Sequence, residues 1–141
     1  MKYPKTVKKH MIRLAHQYGA RIRFRKLKLV SGLVYPKEGL ITMSNDYVSK
    51  AHSFSILFHE IGHILSVKKK KFYTYNTFTK VTKRIRRIIL KSGLRAEIYA
   101  DKLGQLEFRK HFPGLKYVSS YRNKSERRWY YTWLLNYYRV K

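Results

Sequence analysis

Apolar positions along the chain repeat with two different periods, and the changes of period divide it into elements. In residues 5–18, "KTVKKHMIRLAHQY", Val7, Met11, Leu14, Ala15 and Tyr18 fall at helical spacing with basic residues outside, and Gly19 stops the run. The next stretch, "ARIRFRKLKLV", alternates Ile22, Phe24, Leu27 and Leu29 with basic residues and slips one position near Lys26. That pattern predicts a strand with one solvated face and a bulge. "SGLVYPKEGLITMSND" predicts two short strands, 33–35 and 40–43, joined through Pro36 to Gly39 as part of a small antiparallel sheet.

The period then lengthens again. Ser44, Asn45, Asp46 and Ser49 are cap-type residues leading into a helix whose centre, "FSILFHEIGHILSV", is the most apolar part of the chain. "KKKKFYTYN", residues 68–76, reads as a loop. Phe78, Val81, Ile85, Ile88 and Ile89 mark one face of a basic helix ended by Ser92-Gly93. "LRAEIYADKLGQLEFRKHF" predicts another helix, with Leu94, Ile98, Leu103 and Leu106 inward and Pro113-Gly114 as its stop. Asn123 and Glu126 stand in capping-box spacing before a last helix over about 123–139, where Trp129, Trp133 and Tyr137 recur at every fourth position as a core stripe does. The expected fold class is α+β: an N-terminal helix, a small antiparallel or mixed sheet, a central apolar helix, then two to three C-terminal helices, in a single domain spanning 1–141.

Composition narrows the chemistry. Hydrophobic residues at 44% and aromatics at 16% are globular values, and without cysteine there is no disulfide and no thiolate metal site. Any metal must take His and carboxylate ligands. No run reaches the length of a membrane span, and the start lacks the continuous apolar segment of an export signal, so the expected location is intracellular, in the cytoplasm. Thirty-three Lys and Arg against seven Asp and Glu leave a net charge of +26, which attracts polyanions and makes nucleic acid a candidate partner through the basic surface. The segments "KKKKFYTY" and "YRNKSERRWYYTWLLNYYRVK" mix cations with aromatic rings, the composition of single-strand binders. Carboxylate chemistry must come from Glu38, Asp46, Glu60, Glu97, Asp101, Glu107 or Glu126.

One such carboxylate interrupts the apolar helix together with two histidines. His59 and His63 are four residues apart, hence one turn apart on one helical face, where both imidazoles can meet a single cation. Glu60 lies about 100° further round the helix, placed to reach a water in an open metal position and take its proton. Polar groups inside an apolar helix are costly unless bound or paired, and Gly62 is a poor helix former that is tolerated where another element approaches closely.

A catalytic zinc site usually has three protein ligands. His52 is two turns before His59 and too far along the axis, whereas His10 and His16 sit among basic neighbours on the first helix. His111 stays open as a third ligand, but Glu97 is the better candidate: Glu97 and Asp101 stand four apart on one helix, so that one carboxylate can bind the metal and the other can accept a ligand histidine's free ring N–H. Tyr99, His111, Tyr117 and Tyr121 are candidates for stabilising an oxyanion, with nothing to choose between them.

The HEIGH motif on an apolar helix, preceded by a helix and small sheet and followed by "EIYAD", resembles the gluzincin metallopeptidases, most of all the short ImmA/IrrE type with its E-x-x-A-D segment. The resemblance spans about residues 5–107 and rests on those two motifs; a Leu-Met-Pro common after the second motif is absent here, where "LGQLEFRK" stands. It implies a minimal zincin-like domain with zinc as cofactor, His59, His63 and Glu97 as ligands, Glu60 as general base and Asp101 as the orienter of a histidine. It implies a peptidase acting on a protein or peptide, with an extended substrate paired to strand 40–43. Members of that family act on DNA-bound regulators and are often encoded by phages or other mobile elements. Two other functions stand beside this one: a basic nucleic-acid-associated protein with a structural or DNA-linked zinc site, and an inactive zincin scaffold.

Overall fold

The computed structural model describes residues 3–27, 31–69 and 83–119, with backbone alone over 83–92. Helix α1, Lys5–Gln17, buries Met11, Leu14 and Ala15. It closes where the apolar spacing ends: Gly19 N–H donates to the His16 carbonyl at 3.0 Å and Ala20 N–H to the Ala15 carbonyl at 2.9 Å, satisfying two terminal acceptors.

Three strands follow: β1 (Arg21–Arg25), β2 (Gly32–Tyr35) and β3 (Leu40–Ser44). They form one mixed sheet in the order β1-β3-β2, with β1 parallel and β2 antiparallel to β3. The parallel pair makes the sheet mixed, one of the two arrangements expected, with β1 beside β3 rather than beside its sequence neighbour β2. β3 takes the centre since it is the most buried strand, with Ile41 and Met43 wholly inside. Both of its edges are therefore used, and the expected pairing of a substrate with strand 40–43 is corrected: the sheet edges are β1 and β2.

Helix α2, Lys50–Lys68, starts at Ser49, whose Oγ accepts the His52 N–H at 3.1 Å. Phe54, Leu57, Phe58, Ile61 and Ile64 are buried on several sides of it, so α2 is the axis of the core, with the sheet, α1 and α3 packed around it. Each such side chain contributes about 1.5–3 kcal/mol by leaving water.

Helix α3, Lys83–His111, runs unbroken through Ser92-Gly93, where a boundary between two helices was expected. The cost of glycine in a helix, about 1 kcal/mol, is outweighed by packing. Its inward face also differs from expectation. Gly93, Ala96, Ala100, Gly104 and Phe108 are buried, whereas Leu94, Ile98 and Leu103 are half-buried and Leu106 is 53% exposed. The reason is the closeness of α2. A Cβ on Gly62 would lie 1.8 Å from the Ala100 carbonyl oxygen, and one on Gly104 would lie 2.1 Å from that of Phe58. The helices run antiparallel with their backbones in contact, and leucine does not fit that line.

Beyond α3 the chain turns back along α2. Val118 N–H donates to Ser55 Oγ at 2.9 Å, while the same hydroxyl donates to the Ala51 carbonyl at 2.6 Å. The basic loop at 70–76, Phe78, Val81, Tyr121 and the aromatic helix expected over 123–139 lie outside the described residues, as do the side chains of Ile85, Ile88 and Ile89. No helix among the described residues is long and apolar enough to cross a membrane.

Candidate metal centre

Because α2 and α3 touch through glycine and alanine, side chains one position off the contact line meet at short range. Gly62 lies against Ala100, and beside them His59 and His63 from α2 face Glu97 and Asp101 from α3. Glu97 Oε2 is 2.7 Å from His59 Nε2 and 3.0 Å from His63 Nε2. The three ligand atoms lie within 4.8 Å of one another, and all three side chains are largely buried. Two imidazole nitrogens and one carboxylate oxygen suit a divalent metal of intermediate softness. A tetrahedral ion with Zn–N near 2.0–2.1 Å needs donors about 3.3 Å apart, a few tenths of an ångström beyond the hydrogen-bonded separations. The residues present fit a metal ion.

The remaining nitrogen of His59 is also held. Its Nδ1 faces Asp101 Oδ1 at 3.0 Å, and Asp101 in turn accepts from the Tyr117 hydroxyl at 2.7 Å and from the Ser119 hydroxyl. This network orients the ring and leaves Nε2 directed at the site. Burial pushes the Asp101 carboxyl up, but hydrogen bonding and charge from His59, with Ser119 and Tyr117, hold it below its ordinary range. Burial likewise works against a charged His59, yet the hydrogen bonds to Asp101 and Glu97 and the charges of Glu97 and Glu60 raise its pKa well above 6.5. Glu97 is held far below the usual carboxylate range: burial opposes ionisation, and the charge of His63 with hydrogen bonds from both imidazoles overcomes it.

Glu60 takes no part in that hydrogen bonding. The residue is 8% exposed and, among the described residues, its carboxyl receives no hydrogen bond. It lies against β2, for a Cβ on Gly32 would come 3.2 Å from Glu60 Oε1. Burial raises its pKa, which the charges of His59 and His63 partly oppose and that of Glu97 reinforces. It is a buried carboxyl with spare acceptor capacity, electrostatically coupled to the three ligand candidates.

His59, Glu60, His63, Glu97 and Asp101 are therefore brought together, and the alternative third ligand is not. His111 is exposed at the end of α3, where its Nε2 lies 3.1 Å from the Tyr18 hydroxyl. Burial and Glu107 push that phenol up to about 12. His10 packs on Phe54 and Phe112. Tyr117 belongs to the Asp101 network, which removes it from the oxyanion candidates; burial and Asp101 raise its pKa strongly. Sequence reasoning missed the roles of Tyr117, Ser119 and Ser55, for which no local pattern signals a contact. It also missed the stripe Ala96-Ala100-Gly104, whose four-residue spacing of small side chains was readable.

No protein-family model, curated protein or solved structure matches this chain.

Proposed function

We propose that the protein is a zinc-dependent metallopeptidase of gluzincin type, hydrolysing a peptide bond of a protein substrate, and that a DNA-bound regulator is its substrate class. The observation that carries this reading is the convergence of His59 Nε2, His63 Nε2 and Glu97 Oε2 beside a buried carboxyl that hydrogen-bonds to none of them. His59, His63 and Glu97 would hold the metal, and Asp101 keeps His59 in the tautomer that presents Nε2. Zinc, when bound, acidifies a water and polarises a carbonyl. Glu60 accepts a proton from the attacking water and passes it to the departing amine. β2 passes Glu60 at Gly32, and its second edge is unpaired among the described residues. An extended peptide adds to that edge, which brings its carbonyls past the carboxyl.

The test separates binding from turnover. Glu60→Gln keeps the shape and the metal ligands, so it is expected to retain zinc at the wild-type stoichiometry. Its cleavage of a peptide library, read by mass spectrometry, is expected to fall by about 10²–10⁴-fold. Equal cleavage by both proteins removes Glu60 from the mechanism. Zinc binding without any cleavage by wild type leaves the scaffold function in its place.

A further inference from the structure

The apolar core packs on one face of the sheet. On the other face the central strand is shielded, Thr42 and Ser44 being buried, and the flanking side chains of β1 and β2 are the accessible ones. Ile22, Phe24, Val34, Ile41 and Met43 turn toward the helices. Strand alternation puts Arg21, Arg23 and Arg25 of β1 on the other face, and the register sets Tyr35 of β2 in the row of Arg21 and Leu33 in the row of Arg23, with β3 between. Arg21 and Arg25 are exposed, as are Tyr35 at 47% and Leu33 at 37%. Arg23 Nε donates to Thr42 Oγ1 at 2.7 Å, which fixes the guanidinium plane, and among the described residues its terminal N–H groups have no acceptor. Among the described residues none of the three arginines is in an ion pair. Residues 21–44 carry six Lys and Arg against one acid, Glu38.

We propose that this outer sheet face binds single-stranded nucleic acid, with phosphates on Arg21, Arg23 and Arg25 and a base stacked on Tyr35. Alternate side chains on a strand are about 6.6–6.8 Å apart, so β1 presents a row of guanidiniums to successive phosphates of an extended strand. Tyr35 stands two strand spacings away, about 9–10 Å, within reach of a base carried by that backbone. The charge selects a polyanion, and an exposed ring beside it selects one with stacking faces. Two apolar side chains are too few to embed in a bilayer. The face is turned away from α2, while Gly32 and Glu60 lie on the inner side. A bound strand therefore leaves the metal centre uncovered, and the inference holds whether or not the centre is a peptidase.

Fluorescence anisotropy of short labelled oligonucleotides, single-stranded and duplex, decides it. Replacing Arg21, Arg23 and Arg25 together by Ala is expected to flatten the slope of log K against log salt by about 2 and to weaken single-strand binding at least tenfold at roughly 0.15 M salt. A charge-matched control, Lys5, Lys9 and Arg109 to Ala, takes the same charge from exposed sites elsewhere and is expected to change binding less than about threefold. Tyr35→Ala should lose at least about fivefold on the single strand and leave the duplex unchanged. Should the alanine triple melt at assay temperature, the triple Arg→Lys protein takes its place: it keeps the salt slope and loses affinity with the fixed guanidinium geometry. Equal losses in the two charge-matched triples, a Tyr35→Ala protein identical to wild type, or release of the strand by anionic phospholipid vesicles at equal phosphate each overturns the proposal.

Discussion

Helices α2 and α3 meet along two seams that lie side by side and obey different rules. In one, Phe58 packs against Phe108 with ring centroids 5.8 Å apart, and Phe54 against Phe112, one residue past the end of α3, at 4.8 Å. In the other, His59 and His63 face Glu97 and Asp101 at 2.7–3.0 Å. At Gly62, Ala100 and Gly104 the backbones of the two helices touch. The aromatic seam is held by apolar area removed from water, which varies smoothly with small displacements. The polar seam is held by charge in a medium of low dielectric, where a lost partner leaves an uncompensated ion. One interhelical distance serves both, and the difference lies in how steeply each depends on it.

Truncation of the first seam gives the largest expected effect. Phe108→Ala should cost about 3–5 kcal/mol in chemical denaturation, while the folded protein still binds zinc at wild-type stoichiometry; loss of stoichiometry would mean that the seams are not separable. Gly62→Ala sharpens the contrast from the other side. Its methyl must displace the Ala100 carbonyl, at a cost of about 3 kcal/mol, and because Glu97 rides on the same helix, zinc affinity should fall with stability. A stable Gly62→Ala protein with wild-type affinity would break the link between backbone contact and metal site. Asp101→Asn acts on the polar seam alone and is expected to weaken zinc about 10–100-fold in a chelator competition, with little change in denaturation midpoint at saturating metal.

The smallest effect is a pH dependence of the metal-free protein. His59 has its folded pKa raised above 6.5, so its contribution is fully present below that value and is lost as pH rises through the folded pKa. Glu97 and Asp101 are lowered from 4.5 and 3.8, so theirs is present above those values and is lost as pH falls through the folded ones. Melting temperature should therefore be highest between the ordinary carboxylate range and 6.5, and decline from there toward the raised histidine value. Saturating zinc should remove the alkaline decline, since neutral imidazoles are then the bound form. An alkaline decline unchanged by zinc would detach His59 from the metal.

What could be read from the chain follows from the range of each interaction. His59 and His63 were legible because one helix carries both at a fixed spacing, and Glu97 with Asp101 for the same reason. The mixed α+β order was legible from the changes of period. The inward face of α3 was misread because hydrophobic periodicity follows side-chain volume, whereas this contact is built from its absence at Ala96, Ala100 and Gly104. For the same reason Gly93 looked like a terminus. The central place of β3 depends on which strand pairs with which, a long-range choice that no short window contains. Tyr117 and Ser119 reach Asp101 from beyond a turn at Pro113-Gly114, and only the folded path of the chain aligns them.

That return path has a consequence during synthesis. The ribosome releases both imidazoles first, then the two carboxylates, and last the hydroxyls of Tyr117 and Ser119 together with the amide that fastens to Ser55. A nascent chain can offer cations scattered nitrogen donors long before it owns a finished pocket, so maturation waits for the stretch that follows α3.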